Sequence, residues 1–463
     1  MSVSLLMSMM LASGASTQNV DIGQPSPATL VYASEIIASP AAPATLANAG
    51  GLLDLVTPLR YNFSAGEVRY ARIDCSGGLR FAPGSAVSLL GAGSASLGAI
   101  NGVGSSVISF SITANDAAVV ETDRLVVSGD RLAVGSAPVR CSYGLYDVPS
   151  QANAGGTAGR VASAEGDYLR FAPATLFSAQ GRTSVADVTA TPPYTEFVHS
   201  APTTATTAAL GPVQYALSLP APLTPAGTQI TLADLHGAGP SGTRLVVDGD
   251  FGAAANADGG FTGAALSRVY LSTTGNSCSF GTPASSLSAT QAAFNVGATA
   301  TGGILCLAPA AGATIPAAQY TARLQAVSAA PAVYRVQGFG PDPVGTIVRN
   351  GLELQAPLVQ LPDNYLSRLV LTNAGPQGRI FTVRVLGETG NVVSTGELRG
   401  TVPGSGTLVI ELGAILTGFT VSPRATLSVT MAAPGTMVQG LYQIVNPDAG
   451  SVSNHVMVRP GSN

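Results

Sequence analysis

The feature that most constrains this chain is a repeat. Arg124–Asp130 reads RLVVSGD, and Arg244–Asp250, 120 residues later, reads RLVVDGD. A β-branched run closed by Gly-Asp is a strand entering a turn, and the correspondence continues downstream. CSYG (Cys141–Gly144) and then LRFAP (Leu169–Pro173) follow the first copy; CSFG (Cys278–Gly281) and then LCLAP (Leu305–Pro309) follow the second. The gap between these two motifs is 24 residues in one copy and 23 in the other. SAQ (Ser178–Gln180) is echoed by AAQY ending at Tyr320, and PPY ending at Tyr194 by PAVY ending at Tyr334. Five matches in one order indicate a duplicated module of about 120 to 140 residues, too long for a solenoid unit and therefore a tandem domain.

The segments between these motifs have strand character. SVISFSITA (Ser106–Ala114), YTARLQAV (Tyr320–Val327) and IFTVRVLG (Ile380–Gly387) alternate polar and apolar residues, the period of a strand with one covered face. Similar runs recur between Gly, Pro, Asn and Ser clusters. Helical periodicity is almost absent, and TLADLHG (Thr231–Gly237) supports one or two turns at most. The expected fold is all-β, a series of Ig-like β-sandwiches. After Phe339-Gly340-Pro341-Asp342-Pro343 a third module is expected, with SRLVLTNAG (Ser367–Gly375) as a weaker echo of the repeated strand. The divisions read from sequence are a signal-like segment over 1–16, sandwiches over 17–198 and 199–340, and a C-terminal sandwich over 341–463.

The four cysteines allow three pairings, and the duplication selects among them. Cys141 aligns with Cys278, whereas Cys306 in LCLAP aligns with Arg170 in LRFAP. The second module thus owns both of its cysteines, which gives Cys278–Cys306 and leaves Cys75–Cys141 for the first. No C-x-x-C spacing exists and His199, His236 and His455 are scattered, so a zinc site is disfavoured.

Charged residues make up 10% of the chain, against about 25% in an average soluble protein; every basic side chain is Arg, and Trp is absent. With a net charge of −4 there is no basic surface for nucleic acid. Past the N-terminus no apolar run is long enough for a spanning helix. Leu5–Leu11 followed by Ser13-Gly14-Ala15 has the form of an export signal and cleavage site. The usual positive n-region is missing, which a start inside a longer signal would explain. An even number of cysteines agrees with export.

Catalytic motifs are lacking. There is no G-x-S-x-G elbow and no P-loop, and GAGPSG (Gly237–Gly242) precedes a strand where a dinucleotide site would open a helix. The expectation is a non-enzyme. The one cluster with ligand chemistry is DGDFGAAANADGG, where Asp248, Asp250, Asn256 and Asp258 offer hard oxygens suited to calcium. The competing reading is turn chemistry, supported by Ser128 in the first copy where the second has Asp248.

LVYASEI (Leu30–Ile36), LRYNFSAGEVRYARIDC (Leu59–Cys75), the RLVVxGD units and LYQIVNPDAGSVSNHVMVRPG (Leu441–Gly461) together resemble secreted surface-layer (S-layer) proteins of Gram-negative, beta-proteobacterial bacteria. The resemblance implies a structural cell-surface protein that assembles with copies of itself into a lattice or tube. It also implies the outer-membrane surface or lipopolysaccharide as anchor and divalent cations as aids. The paired cysteines depart from that family's habit. A secreted adhesin or pilus-like subunit shares the same export, sandwiches and disulfides, and a free edge groove would mark it. A secreted hydrolase would need a catalytic segment that the sequence does not display.

Overall fold

The computed structural model describes residues 20–24, 29–116, 118–188, 190, 192, 194–273, 277–387, 394–395, 398–417, 424–433 and 435–460. The signal-like segment over 1–16 lies outside them. The fold is all-β, with three packed sandwiches in tandem, each around its own apolar core.

In the first sandwich the long strands Val68–Cys75, Val107–Ala114, Val139–Tyr146 and Arg160–Ala172 form the body of a sheet flanked by Leu30–Ala33 and Ala95–Leu97. The opposing sheet centres on Arg124–Ser128 between Leu55–Pro58 and Ala86–Leu90. Val107–Ala114 alternates half-buried and buried residues along its length, as its sequence period requires. In the second sandwich Arg244–Asp248 is again an interior strand, antiparallel to both Gln291–Asn295 and Ala318–Gln325. The echo in the third sandwich, Leu366–Asn373, is likewise interior, between Gly406–Glu411 and Val438–Asn446. The one short helix read from sequence is Leu232–Leu235. Thr231 Oγ1 accepts from the Asp234 N–H at 3.2 Å, and Asp234 Oδ2 accepts from the Thr231 N–H at 2.8 Å, a reciprocal capping box.

The repeated motifs correspond only in part. Both RLVV strands bury three successive residues and both L-x-x-A-P units close a long strand, Arg160–Ala172 or Thr301–Leu307. CSYG, however, lies within a strand, whereas CSFG lies in a loop. Both disulfides nevertheless form as paired. Cys75 and Cys141 face each other in register on adjacent strands, with Cα atoms 4.1 Å apart, and Cys278–Cys306 ties the loop to the strand Thr301–Leu307.

The sandwich limits differ from the sequence divisions at 198/199 and 340/341. Thr175–Ala179 and Arg182–Ala186 pair with Ala208–Leu217 and with Phe339–Arg349, so both belong to the second sandwich. Phe339–Arg349 is also a strand of that sandwich, and the third begins with Leu352–Gln360. The first boundary therefore lies near Ala174 and the second near Gly351. The proline- and glycine-rich stretch Phe339–Pro343 is part of a strand, held there by the preceding strand Ala318–Gln325, while the rest of it pairs with the distant Arg182–Ala186.

The first two sandwiches are joined by main-chain bonds. Leu223 N–H donates to Val31 O at 2.8 Å, Ala33 N–H to Leu223 O at 3.0 Å, Ile37 N–H to Val333 O at 2.8 Å, and Arg335 N–H to Glu35 O at 2.7 Å. Ile230, Leu235 and Tyr334 complete the first core from the second unit. At the second joint Asn350 is central: its Oδ1 accepts from Val188 N–H at 2.7 Å and its Nδ2 donates to Asp187 Oδ1 at 3.1 Å.

Candidate assembly surface

The four residues expected to bind calcium each have a protein partner of their own. Asp248 pairs with Arg323 and accepts from Gln291 Nε2 at 2.9 Å. Asp250 Oδ1 accepts from Gly252 N–H at 2.9 Å and Asp258 Oδ1 from Gly260 N–H at 2.8 Å, both two residues on in sequence. Asn256 donates to Thr262 O at 2.8 Å and accepts from Arg268 at 3.0 Å. These are turn and strand-end roles, and among the described residues no group of three or more His, Cys, Asp or Glu stands ready to hold a metal ion. The three histidines remain apart. His236 is buried where the first two sandwiches meet, between Thr175 Oγ1 at 2.9 Å and Thr243 Oγ1 at 3.1 Å, and burial pushes its pKa down to about 4.

The Gly-Asp after each RLVV strand is architectural, for two reasons. Gly129 takes φ of +117°, a region that L side chains rarely adopt, whereas a Cβ on Gly249 would lie 2.2 Å from the Tyr320 ring. The next residue differs: Arg131 in the first copy, Phe251 in the second, both fully buried. Arg131 donates to the carbonyls of Gly129, Asp130, Leu53 and Val127 and lies over the rings of Phe81 and Tyr168. Phe251 packs edge-on to Tyr320, whose hydroxyl donates to Asp250 O at 2.6 Å. Sequence reading passed over Arg131, because an Arg after a Gly-Asp turn is ordinarily solvated.

The third sandwich exposes several large apolar side chains on one sheet, Leu366, Val409, Val452 and Val456 among them. One of its sheets runs in the order Gly406–Glu411, Leu366–Asn373, Val438–Asn446, Ser451–Val456. Leu369, Leu371, Val438 and Tyr442 point into the core, so the residues alternating with them form the outside. Register places the outer side chains in rows across the strands. Val409, Val370, Leu441 and Val456 form one apolar row, and Leu366, Val445 and Val452 form another. Between them runs a polar row of Glu411, Arg368, Gln443 and Asn454, closed by an Arg368–Glu411 ion pair at 2.7 Å and a Gln443–Asn454 hydrogen bond at 2.9 Å. Val409 is 52% exposed, Val452 53% and Val456 75%. In a protein so poor in charge, two exposed apolar rows on one sheet form a patch of the kind that marks contact surfaces.

The edge of that sheet is open over Ser451–Val456; just beyond it Val458 exchanges two main-chain bonds with Gln355 of the other sheet. All six residues of Ser451–Val456 are exposed, and the strand contains no Pro and no charged side chain. The neighbouring edge of the other sheet, Leu352–Gln360, is blunted by Pro357 and by a register break between Ala356 and Val359. Between the two edges opens a cavity of about 310 Å³, lined by Ala356, Leu358, Gln360, Tyr442, Ile444 and His455 among others. In sequence this strand lies within Leu441–Gly461, a stretch that contributes only to the resemblance. The signal that could have found it is the alternation Val452, Asn454, Val456 without a charge or a proline.

No family model and no curated protein matches the chain. Among solved structures one match is the major pilin subunit of Bacillus cereus, at 9% identity over 81% of this chain and 93% of that one, with a TM-score of 0.19. Likeness at that level carries no inference about activity.

Proposed function

We propose that this chain is a structural subunit of an extracellular assembly, an S-layer-like lattice or tube built from copies of itself. The observation that carries this reading is the outer sheet of the third sandwich, with two exposed apolar rows and a free, uncharged edge. Main-chain groups left unpaired at a sheet edge invite another strand. Low charge supports the reading as well, since like charges repeated across a lattice repel. Two disulfides fit an oxidising compartment, and among the described residues no helix is long and apolar enough to cross a membrane. Outer-membrane attachment through lipopolysaccharide, with calcium as an aid, completes the proposal. Sedimentation velocity and negative-stain microscopy of the purified chain, with and without calcium, test it. Regular sheets or tubes are expected; discrete monomers at every concentration in both conditions would overturn it.

A second reading, a pilus-like or adhesive subunit, is favoured by the 310 Å³ cavity between the two sheet edges, which has the position of a groove for an extended segment. Linear fibres one subunit wide, in place of sheets or tubes, would select it.

A further inference from the structure

We propose that the Ser451–Val456 strand pairs antiparallel with the same strand of a second copy, about a two-fold axis through Asn454. This rests on the self-assembly reading above and names one of its contacts. The argument begins with which main-chain groups are free. Met457 N–H donates to Gly440 O at 2.9 Å, and the register pairs Val456 with Leu441 and His455 with Tyr442. In an antiparallel ladder, hydrogen-bonded and non-hydrogen-bonded pairs alternate. The residues bonded to the inner neighbour are therefore Met457, His455, Ser453 and Ser451. Val452, Asn454 and Val456 turn their N–H and C=O groups away from the sheet.

Those three residues define the register of a partner. Centring the axis on Asn454 sets Asn454 against Asn454 of the second copy and Val452 against Val456 in both directions. Each of these becomes a hydrogen-bonded pair, so the free groups of all three residues are satisfied together. A register shift of one residue, with the axis between two residues, would face groups already committed to Val438–Asn446. An axis through Ser453 would set Val456 against Gly450, outside the strand, and one through His455 would set Val452 against Val458, whose main-chain groups are bonded to Gln355. The same operation continues the outer rows. The Leu366–Val445–Val452 row runs into the partner's Val456–Leu441–Val370–Val409 row, and the reverse, while the polar row meets itself through the Asn454 pair. Valine thus meets valine, and amide meets amide, across a contact with no charged residue in either strand. A two-fold contact has to be self-complementary in this way. The result is an eight-stranded sheet spanning two subunits.

Mixed thiol cross-linking reads the register. In the proposed pairing Ser453 stands directly opposite His455 of the partner as a non-hydrogen-bonded pair, in which Cα atoms approach to about 4.5 Å. Cys75 and Cys141 are directly opposed in the same manner within this chain. The native protein has no free cysteine, so Ser453→Cys and His455→Cys each introduce a single thiol. Under mild oxidation the mixture of the two variants is expected to form disulfide dimer about tenfold or more faster than either alone. A Val456→Lys variant, at a position already exposed, is expected to weaken subunit pairing about tenfold or more. If the wild-type chain assembles but the mixture does not cross-link preferentially, or if Ser453→Cys alone cross-links as fast as the mixture, the two-fold pairing is wrong and self-assembly stands. A wild-type chain that is monomeric throughout removes both.

Discussion

The three versions of the repeated strand occupy the same place in their sheets and differ in what covers them. Leu125-Val126-Val127 and Leu245-Val246-Val247 are buried at all three positions. In Leu366–Asn373 the corresponding Val370 lies between buried Leu369 and Leu371 but is itself only half-buried, on the open face. Val126 and Val246 lie outside the main core clusters and are covered all the same. Opposite Val246 stands Arg323, whose guanidinium is held on Asp248, so its aliphatic stem lies alongside the valine. One strand design thus serves two sealed sandwiches and one with an uncovered side. The seals are specific: two disulfides, a buried arginine, and main-chain bonds across the first joint. The third sandwich has no cysteine, and it is the one with apolar rows facing out. An uncovered apolar face on a folded domain is tolerated where another surface covers it.

The sealed side is the place to look for the largest effects. Replacing Arg131 by Leu takes its donors from four carbonyls; Leu53 O keeps the Tyr168 hydroxyl and Asp130 O keeps the Ala82 N–H, whereas Gly129 O and Val127 O lose the guanidinium, and its stacking on Phe81 and Tyr168 is lost as well. The expected loss is about 3–5 kcal/mol, from roughly 1–3 kcal/mol for each buried carbonyl left without its donor together with the lost packing. Urea unfolding followed by circular dichroism measures it. A loss under about 1 kcal/mol would mean that the site repacks as the Phe251 site does, and that the two seals are interchangeable. Removing a disulfide should come next. Cys75→Ser with Cys141→Ser opens a sequence separation of 66, and Cys278→Ser with Cys306→Ser one of 28. Chain entropy predicts losses of roughly 4 and 3.5 kcal/mol, both unfolding transitions being read against the C-terminal sandwich as an unaltered reference.

A smaller effect is expected at the joint between the sealed sandwiches. His236 is held neutral by burial, with its pKa lowered from 6.5 to about 4. A lowered histidine pKa means that the unfolded chain binds the proton more readily, so stability falls as pH drops. The contribution is complete above about pH 6.5, declines down to about pH 4, and changes no further below that. The decline attributable to His236 should be of order 1–3 kcal/mol. Comparing urea midpoints at pH 7 and pH 4.5 for wild type and His236→Gln isolates it, because the carboxylates titrate in both. Equal pH slopes in the two proteins would show that His236 is not part of the seal.

Much of this architecture is legible in sequence because it is local. Period-2 alternation marks Val107–Ala114, Ala318–Gln325 and Arg379–Gly387, and the duplication is enough to pair four cysteines. What sequence leaves hidden depends on distant partners. Thr175–Ala179 is placed in the second sandwich by Ala208–Leu217, and Phe339–Arg349 by Ala318–Gln325 on one side and the distant Arg182–Ala186 on the other. The acidic cluster over 248–258 looks convergent in one dimension, and in three each carboxylate turns to its own backbone or arginine. Ser451–Val456 is passed over as a strand in sequence, and its position at an edge is a property of the whole sheet.

The comparison between covered and open faces is sharpened most directly by one substitution made three times. Threonine has the shape of valine and adds a hydroxyl, so Val→Thr asks whether a position is dry. At Val126 and Val246 the hydroxyl would be buried away from water, and a cost of about 1–3 kcal/mol is expected at each. At Val370 solvent can reach the hydroxyl, and the monomer should change by no more than about 0.5 kcal/mol. The measurement is urea unfolding at a concentration where the chain is dispersed. Repeating the Val370→Thr measurement under assembling conditions adds a second readout, because a position that is wet in the monomer and covered in the assembly should cost stability only when subunits associate. Equal costs at all three positions in the dispersed protein would show that the third sandwich is as sealed as the others, and the case for its outer sheet as a contact surface would lapse.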